Sequence, residues 1–388
     1  MTIGIVMSKP PSYSETFFNN KIIGLKKSGF DVILFVQQKE DLFKLCEVRI
    51  APKVYRNNVL LQSFEYVKVV IKLSFIPMRL HRFISLERKV NRSWNQILKN
   101  VYNNCHILTS DVDWLHFGFA TMAIQSEHVA RVINAKMAIS CRGYDMDVYP
   151  LKHNNVYQLL WRNVNKVHLI SEYMLKRSYD NGMPKHSIYK IIFPAIDILN
   201  FERPNTTVTN SKLKFTTIAR LHWIKGLSAT LEALSIIKQK GILFEYTIIG
   251  EGSELEPLKF AVDQLNLTHE VTFSGRVKHK HIINMLAETD VYIQYSHSEG
   301  FCNAVLEAQA MGLLCIVSDG GGLSENVIHE QTGWVVEKRN AEALANKILE
   351  VVNLSAHEKE LIVQSAIKRV KEDFNLKKQQ DAFLKFYE

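Results

Sequence analysis

Two parallel-sheet α/β domains facing each other across a central cleft are what this sequence predicts, and three observations carry the prediction. The chain has 388 residues, more than one hydrophobic core usually supports. Short β-rich runs alternate with helix-length amphipathic segments throughout, the pattern of strand–helix–strand units. A polar, strand-free stretch, "DILNFERPNTTVTNSK" (197–212), separates two halves that each show this alternation and reads as a linker. The expected domains are 1–200 and 201–375, with 376–388 a terminal helix that returns to the first domain.

Strands of the first half are read at "TIGIVMS", "DVILFV", "VDWLHFG", "KMAISC", "KVHLIS" and "YKIIFPA", with helices at 15–28 and 172–181 among the connections. In the second half the strands are "LKFTTIAR", "FEYTIIG", "EVTFSG", "DVYIQYS" and "LLCIVSD". Loops at the carboxyl ends of both sheets would line the cleft. The closing "NLKKQQDAFLKFYE" has helical character and no strand before it.

Composition narrows the class. Hydrophobic residues make up 47% and charged residues 22%, ordinary for a globular protein. No apolar run approaches the ~20 residues of a membrane span. The opening "MTIGIVMS" runs into "KPP" and reads as a first strand, not a signal peptide, so a cytoplasmic protein is expected. Five cysteines without a C-x-x-C pair suggest neither a disulfide framework nor a zinc site. Up to Pro204 there are 28 Lys+Arg against 16 Asp+Glu, net +12, and the remainder is net −3. In that basic half, Lys68, Lys72, Arg79 and Arg82 of "YVKVVIKLSFIPMRLHRF" fall on one arc of a helical projection opposite a broad apolar surface, although Pro77 would kink or break the helix. Adhesion to an anionic membrane and a helix packed on the sheet with solvated charges both fit this pattern. No recognition motif for nucleic acid accompanies the basicity.

The chemistry concentrates at strand-to-helix turns of the second half. In "ARLHWIKG", Arg220 and Lys225 follow a strand and could converge on one anion, a fork of donors beside a point charge. "IIGEGSEL" ends a strand at Gly250 without the third glycine of a dinucleotide fingerprint. In "FSGRV", Arg276 and Val277 follow another strand. The stretch "EGFCNAVLEAQAMG" puts Glu299 in a turn and Glu307 in a helix starting near Asn303. A carboxylate suits paired sugar hydroxyls, and open N–H groups at a helix start suit phosphate. "SDGGGLSE" brings three glycines near the same edge.

Together these runs, with "TGW", resemble the donor domain of retaining glycosyltransferases of the GT-B fold, specifically glycosyltransferase family four. "PPSYSETFFNNKIIGLKKSGFDVILF", "LHFGF", "SCRGYDM", "LISEYMLKR" and "FPAID" are similar to enzymes of exopolysaccharide biosynthesis. The resemblance implies two Rossmann-like domains and transfer of a sugar from a nucleotide diphosphate donor to a hydroxyl of a glycan or lipid-linked acceptor, with retention of configuration. It implies that Arg220 and Lys225 neutralise the diphosphate, that Glu299 holds the donor sugar, and that Glu307 holds the ribose. Backbone amides of Gly300, Phe301, Cys302 and Asn303 would surround sugar and phosphate, with Arg276 and Val277 flanking the base and Gly250 nearby. Fixed cations and N–H dipoles would stabilise the leaving group, so no metal or other cofactor is expected.

One departure stands out. Where the family commonly has a histidine before Gly143, this chain has Arg142, which cannot serve as a base at neutral pH. Arg142 could stabilise charge, His116 could supply an imidazole, or the position could be structural. Ser14, Glu15, His116 and Asp145 are the candidates for acceptor or cleft contacts. Asp111 and Asp113 sit at a strand entry, the wrong end for the cleft. Arg142 also motivates a different class, a non-catalytic sugar-nucleotide-binding subunit, and an epimerase is a further alternative on this architecture.

Overall fold

The computed structural model describes residues 1–11, 16–38, 43–55, 57–201 and 212–388. Ser14, Glu15 and most of the expected linker lie outside the described residues. The chain divides into two compact units. One comprises Met1–Ile170, Met174–Ile192 and Gln380–Glu388, the other Ser171–Tyr173 and Phe193–Gln379. The main change of unit thus falls at Phe193, before the boundary at 200 read from the polar stretch.

The first unit is built on a parallel sheet of β1 (Thr2–Met7), β2 (Asp31–Val36), β3 (Glu47–Ile50), β4 (Trp114–Phe117), β5 (Lys136–Cys141), β6 (Lys166–Leu169) and β7 (Tyr189–Ile191), in the order β3-β2-β1-β4-β5-β6-β7. The second carries β8 (Leu213–Ile218), β9 (Phe244–Ile249), β10 (Val271–Gly275), β11 (Val291–Gln294), β12 (Leu314–Ser318) and β13 (Trp334–Val336), also parallel, in the order β10-β9-β8-β11-β12-β13. Both are Rossmann-like. Central strands such as β4, β11 and β12 are buried along their whole length, as expected where helices cover both faces. The eleven strands read from sequence are all present; β3 and β13, both at sheet edges, were not among them.

Helix α1 (Thr16–Lys27) follows β1. The segment read as one amphipathic helix is two, α2 (Val59–Ser74) and α3 (Pro77–Lys89), with Pro77 at the start of the second, where its missing N–H costs nothing. The single basic arc does not exist as such. Arg79 of α3 donates to the carbonyls of Leu108 and Ser110 and pairs with Asp111, while Arg82 donates to Asn134.

Each unit has its own core. Ile3, Ile5, Phe18 and Leu34 pack with Phe383, Phe386 and Tyr387 of the terminal helix Leu376–Tyr387 in the first. Phe215, Tyr246, Ile293, Ile316 and Leu344 belong to the second.

Candidate functional site

In the second sheet the strand order reverses between β8 and β11, so the loops leaving their carboxyl ends flank the crevice where open α/β sheets take ligands. The loop after β8 leaves Arg220 exposed and closes as a single turn, Trp223–Lys225, ending at Gly226. Gly226 has φ 63°, and a Cβ there would stand 2.0 Å from the carbonyl oxygen of Tyr295. Only glycine lets this loop pass so close to the end of β11. The approach pairs Lys225 Nζ with Oε1 of Glu299, with side chains 21% and 12% exposed. Burial works against the charge on Lys225, but the Glu299 carboxylate outweighs it and the lysine pKa is raised; the charge of Arg220 opposes that rise. Two of the predicted residues therefore pair, and the third, Arg220, lies near enough for its charge to act on Lys225.

Glu299 is held from behind by a hydrogen-bond relay. The Tyr292 hydroxyl donates to Gln294 Oε1 (2.8 Å), Gln294 Nε2 to Ser296 Oγ (2.9 Å), and Ser296 Oγ to Glu299 Oε1 (3.2 Å). Sequence reading missed this relay, although a signal was available: in "VYIQYS" the three polar groups recur every second residue and so share one face of the strand. The glycine turn after β12 lies against the same loop, with Glu299 N–H donating to Gly320 O (3.1 Å) and Gly322 N–H to Glu299 O (2.7 Å).

The helix Asn303–Ala310 begins where the sequence placed it, so Glu299 is in the loop and Glu307 in the helix. Not every predicted amide is available. Cys302 N–H donates to Asn326 Oδ1 (2.9 Å) and Asn326 Nδ2 donates back to Cys302 O (3.0 Å). That amide is therefore committed within the protein, contrary to expectation. Cys302 is buried, which pushes its thiol up to about 12, and the Phe301 ring packs on Phe193 and Phe374. Among the described residues, the N–H groups of Gly300, Phe301 and Asn303 make no hydrogen bond, leaving three donors at the mouth of the helix.

Glu307 has a partner that sequence did not suggest. His279 Nε2 lies 3.1 Å from Glu307 Oε1 and donates to it, and this bond raises the histidine pKa against partial burial. Arg276, just past β10, is exposed with Glu251 3.7 Å away, and Val277 is half-buried. Gly250 is a correction. It has φ 145°, its Cβ would stand 1.9 Å from the carbonyl oxygen of Ala219, and its N–H donates to Gly275 O. The glycine serves the packing of the β8 and β9 loops, and neither its amide nor the space above its Cα is open to a ligand.

The predicted residues of the first unit behave differently. Arg142 is half-buried, its guanidinium carbon 4.4 Å, 4.7 Å and 5.4 Å from the ring centres of Phe17, Phe18 and Phe119. A planar, weakly hydrated cation suits such faces. His116 is fully buried, with Tyr387 Oη 2.7 Å and Lys21 Nζ 3.2 Å from Nδ1 and Ser140 Oγ 2.8 Å from Nε2. Burial, then the Lys21 charge, hold its pKa well below the usual histidine value. It is a core histidine and not a cleft-facing base. Asp145 is likewise turned inward, accepting from Thr121 Oγ1 (2.7 Å), and burial raises its pKa to about 6. Among the described residues no three His, Cys, Asp or Glu side chains are grouped to hold a metal ion.

Residues 200–369 match the sequence profile of the family described as "Glycosyl transferases group 1". The chain is 26% identical to the putative colanic acid biosynthesis glycosyltransferase WcaL of Escherichia coli (strain K12), over 97% of this chain and 96% of that protein. It is 28% identical to the amylovoran biosynthesis glycosyltransferase AmsK of Erwinia amylovora, over 69% and 67% of the two chains. The fold is shared with Anabaena Alr3699/HepE, solved in complex with UDP and glucose, at TM-score 0.74 and 14% identity over 99% of this chain and 98% of that one.

Proposed function

From the premise that this chain carries a glycosyl transferases group 1 domain and is homologous to exopolysaccharide glycosyltransferases, we propose that it transfers a sugar from a nucleotide diphosphate donor to a hydroxyl of a glycan or lipid-linked acceptor. Configuration is retained, and the enzyme works in surface polysaccharide assembly at the inner face of an anionic membrane. One observation carries the donor assignment: Lys225 pairs with Glu299 at the switch point of the second sheet, with the charge of Arg220 acting on Lys225, beside the amides of Gly300, Phe301 and Asn303, which make no hydrogen bond among the described residues. As the glycosidic bond breaks, negative charge builds on the diphosphate. Two fixed cations and a helix N-terminus suit that charge, so the leaving group is stabilised by the chain itself and no metal is required. Glu299, held by Lys225 and Ser296, presents its other oxygen to the donor sugar, and Glu307 takes the ribose hydroxyls in exchange for His279.

A thermal-shift screen with uridine and guanosine diphosphate sugars tests the reading, because a ligand bound only by the folded state raises the melting temperature. One of these donors is expected to stabilise the protein, Glu307→Ala to weaken that binding, and Lys225→Ala to depress turnover sharply. Unchanged kinetics in both variants would overturn the assignment. Arg142, set among aromatic rings, favours a second reading in which the chain binds a sugar nucleotide without turnover. A stabilising donor that is neither transferred nor hydrolysed with any acceptor would establish it.

A further inference from the structure

Helix α2 is apolar on nearly every side, yet the protein covers only a narrow strip of it. Val69 and Leu73 are its buried residues. Leu60, Phe64, Val67, Ile71 and, just past the helix end, Phe75 are between 55% and 85% exposed. At 100° per residue these five fall within an arc of about 80°, on the side away from Val69 and Leu73. Lys68 and Lys72 border that arc on one flank. The neighbouring Met78, at the start of α3, is 86% exposed. Five large apolar side chains standing in water along one stripe of a 16-residue helix are more than scattered surface hydrophobics.

The surrounding charge identifies the occupant. Residues 53–99 hold ten Lys+Arg against two Glu, net +8. Some of these cations are paired, Lys68 with Glu65, Arg79 with Asp111 and Arg92 with Glu87 and Glu127, but two copies meeting through this helix would still bring two net-positive segments together, whereas anionic headgroups supply counter-charge. Among the described residues no helix is long and apolar enough to cross a membrane, so α2 would lie in the plane of the interface. We propose that α2 docks on an anionic lipid surface, its outward apolar stripe inserted at the headgroup boundary and Lys68 and Lys72 meeting the phosphates. This rests on the membrane part of the proposed function and is independent of the chemistry. Of the basic arc read from sequence only Lys68 and Lys72 take part, since Arg79 and Arg82 are tied within the first unit.

Co-sedimentation of the full chain with vesicles of phosphatidylglycerol and phosphatidylcholine, against phosphatidylcholine alone, tests it. Binding to the anionic vesicles at low salt is expected. The triple variant Phe64→Glu, Ile71→Glu, Phe75→Glu should abolish it with an unchanged circular dichroism spectrum, and Lys68→Gln and Lys72→Gln should each weaken it about fivefold. All of these variants should keep the donor-induced thermal shift, which separates failure of the docking surface from failure of the glycosyltransferase reading. Absence of wild-type binding, or full binding by the triple variant, overturns the proposal. So does a concentration-dependent dimer in light scattering that the triple variant dissolves, which would assign the stripe to a second copy.

Discussion

His279 makes the availability of Glu307 depend on pH. The hydrogen bond to the Glu307 carboxylate raises the histidine pKa, against burial. A group whose folded pKa lies above its unfolded value contributes stability in full below about pH 6.5, and loses it as pH rises through the folded value. The melting-temperature advantage of wild type over His279→Gln is therefore expected to be largest in mildly acidic buffer and to shrink toward pH 8. Donor affinity should move the other way, because neutral His279 releases Glu307 to the ribose. Titration calorimetry across that range checks the second trend, and an affinity that falls as pH rises would contradict it. Asp145 has the same sign for a different reason. Burial raises its pKa to about 6, so its contribution is retained below about pH 4 and lost by pH 7. Asp145→Asn should thus gain stability relative to wild type between pH 4 and pH 8, by on the order of 3 kcal/mol, measured by chemical denaturation. At this scale the sequence was most legible where residue type alone dictates chemistry. Arg220, Lys225 and Glu299 could be named from motif and spacing. The fate of the Cys302 amide could not, because its partner Asn326 lies 24 residues away.

Among elements, legibility follows burial. β4, β5, β11 and β12 are almost wholly buried and mostly apolar, and such short runs announce themselves. β3 has the burial of an edge, with no fully buried residue, and β13 has three residues; β7 is as short and as little buried, but the apolar run "YKIIFPA" around it marked it in the sequence. The glycine turn after β12 was read as three glycines at the edge of the site, where absent side chains permit close backbone approach. In the fold that freedom is taken by the loop carrying Glu299, since a Cβ on Gly320 or Gly322 would stand 2.2 Å from the carbonyl oxygen of Ser296 or Gly300. The short helix Leu323–Asn326 that follows ends in the residue bracing Cys302. Asn326→Ala leaves a buried N–H and a buried carbonyl without partners, a cost of about 3 kcal/mol. It should also loosen the start of the helix Asn303–Ala310, so that denaturation midpoint and donor affinity fall together. Loss of stability with donor affinity intact would show that the brace serves only folding.

For the whole molecule, two domains and their α/β class were legible from length and alternation, and the closing residues were read as a helix returning to the first domain; what they contribute there required the tertiary structure. Gln380–Glu388 belong to the first unit, where Phe383, Phe386 and Tyr387 are buried and Trp114 Nε1 donates to Tyr387 O (2.9 Å). Three buried aromatic side chains at about 1.5–3 kcal/mol each approach the entire ~5–15 kcal/mol stability of a domain. Deleting 380–388 should therefore yield a protein whose first unit is digested rapidly by a non-specific protease while a fragment of the second survives. Equal survival of both units would refute that dependence.

The same nine residues set an order of events at the ribosome. Everything from Phe193 to Gln379 is synthesised before them, so the second unit can complete its core while the first still lacks three of its aromatic residues. Domains usually mature in the order they emerge. Here the unit made first must finish after the second, and until residues 380–388 emerge its unfinished core is a client for chaperones.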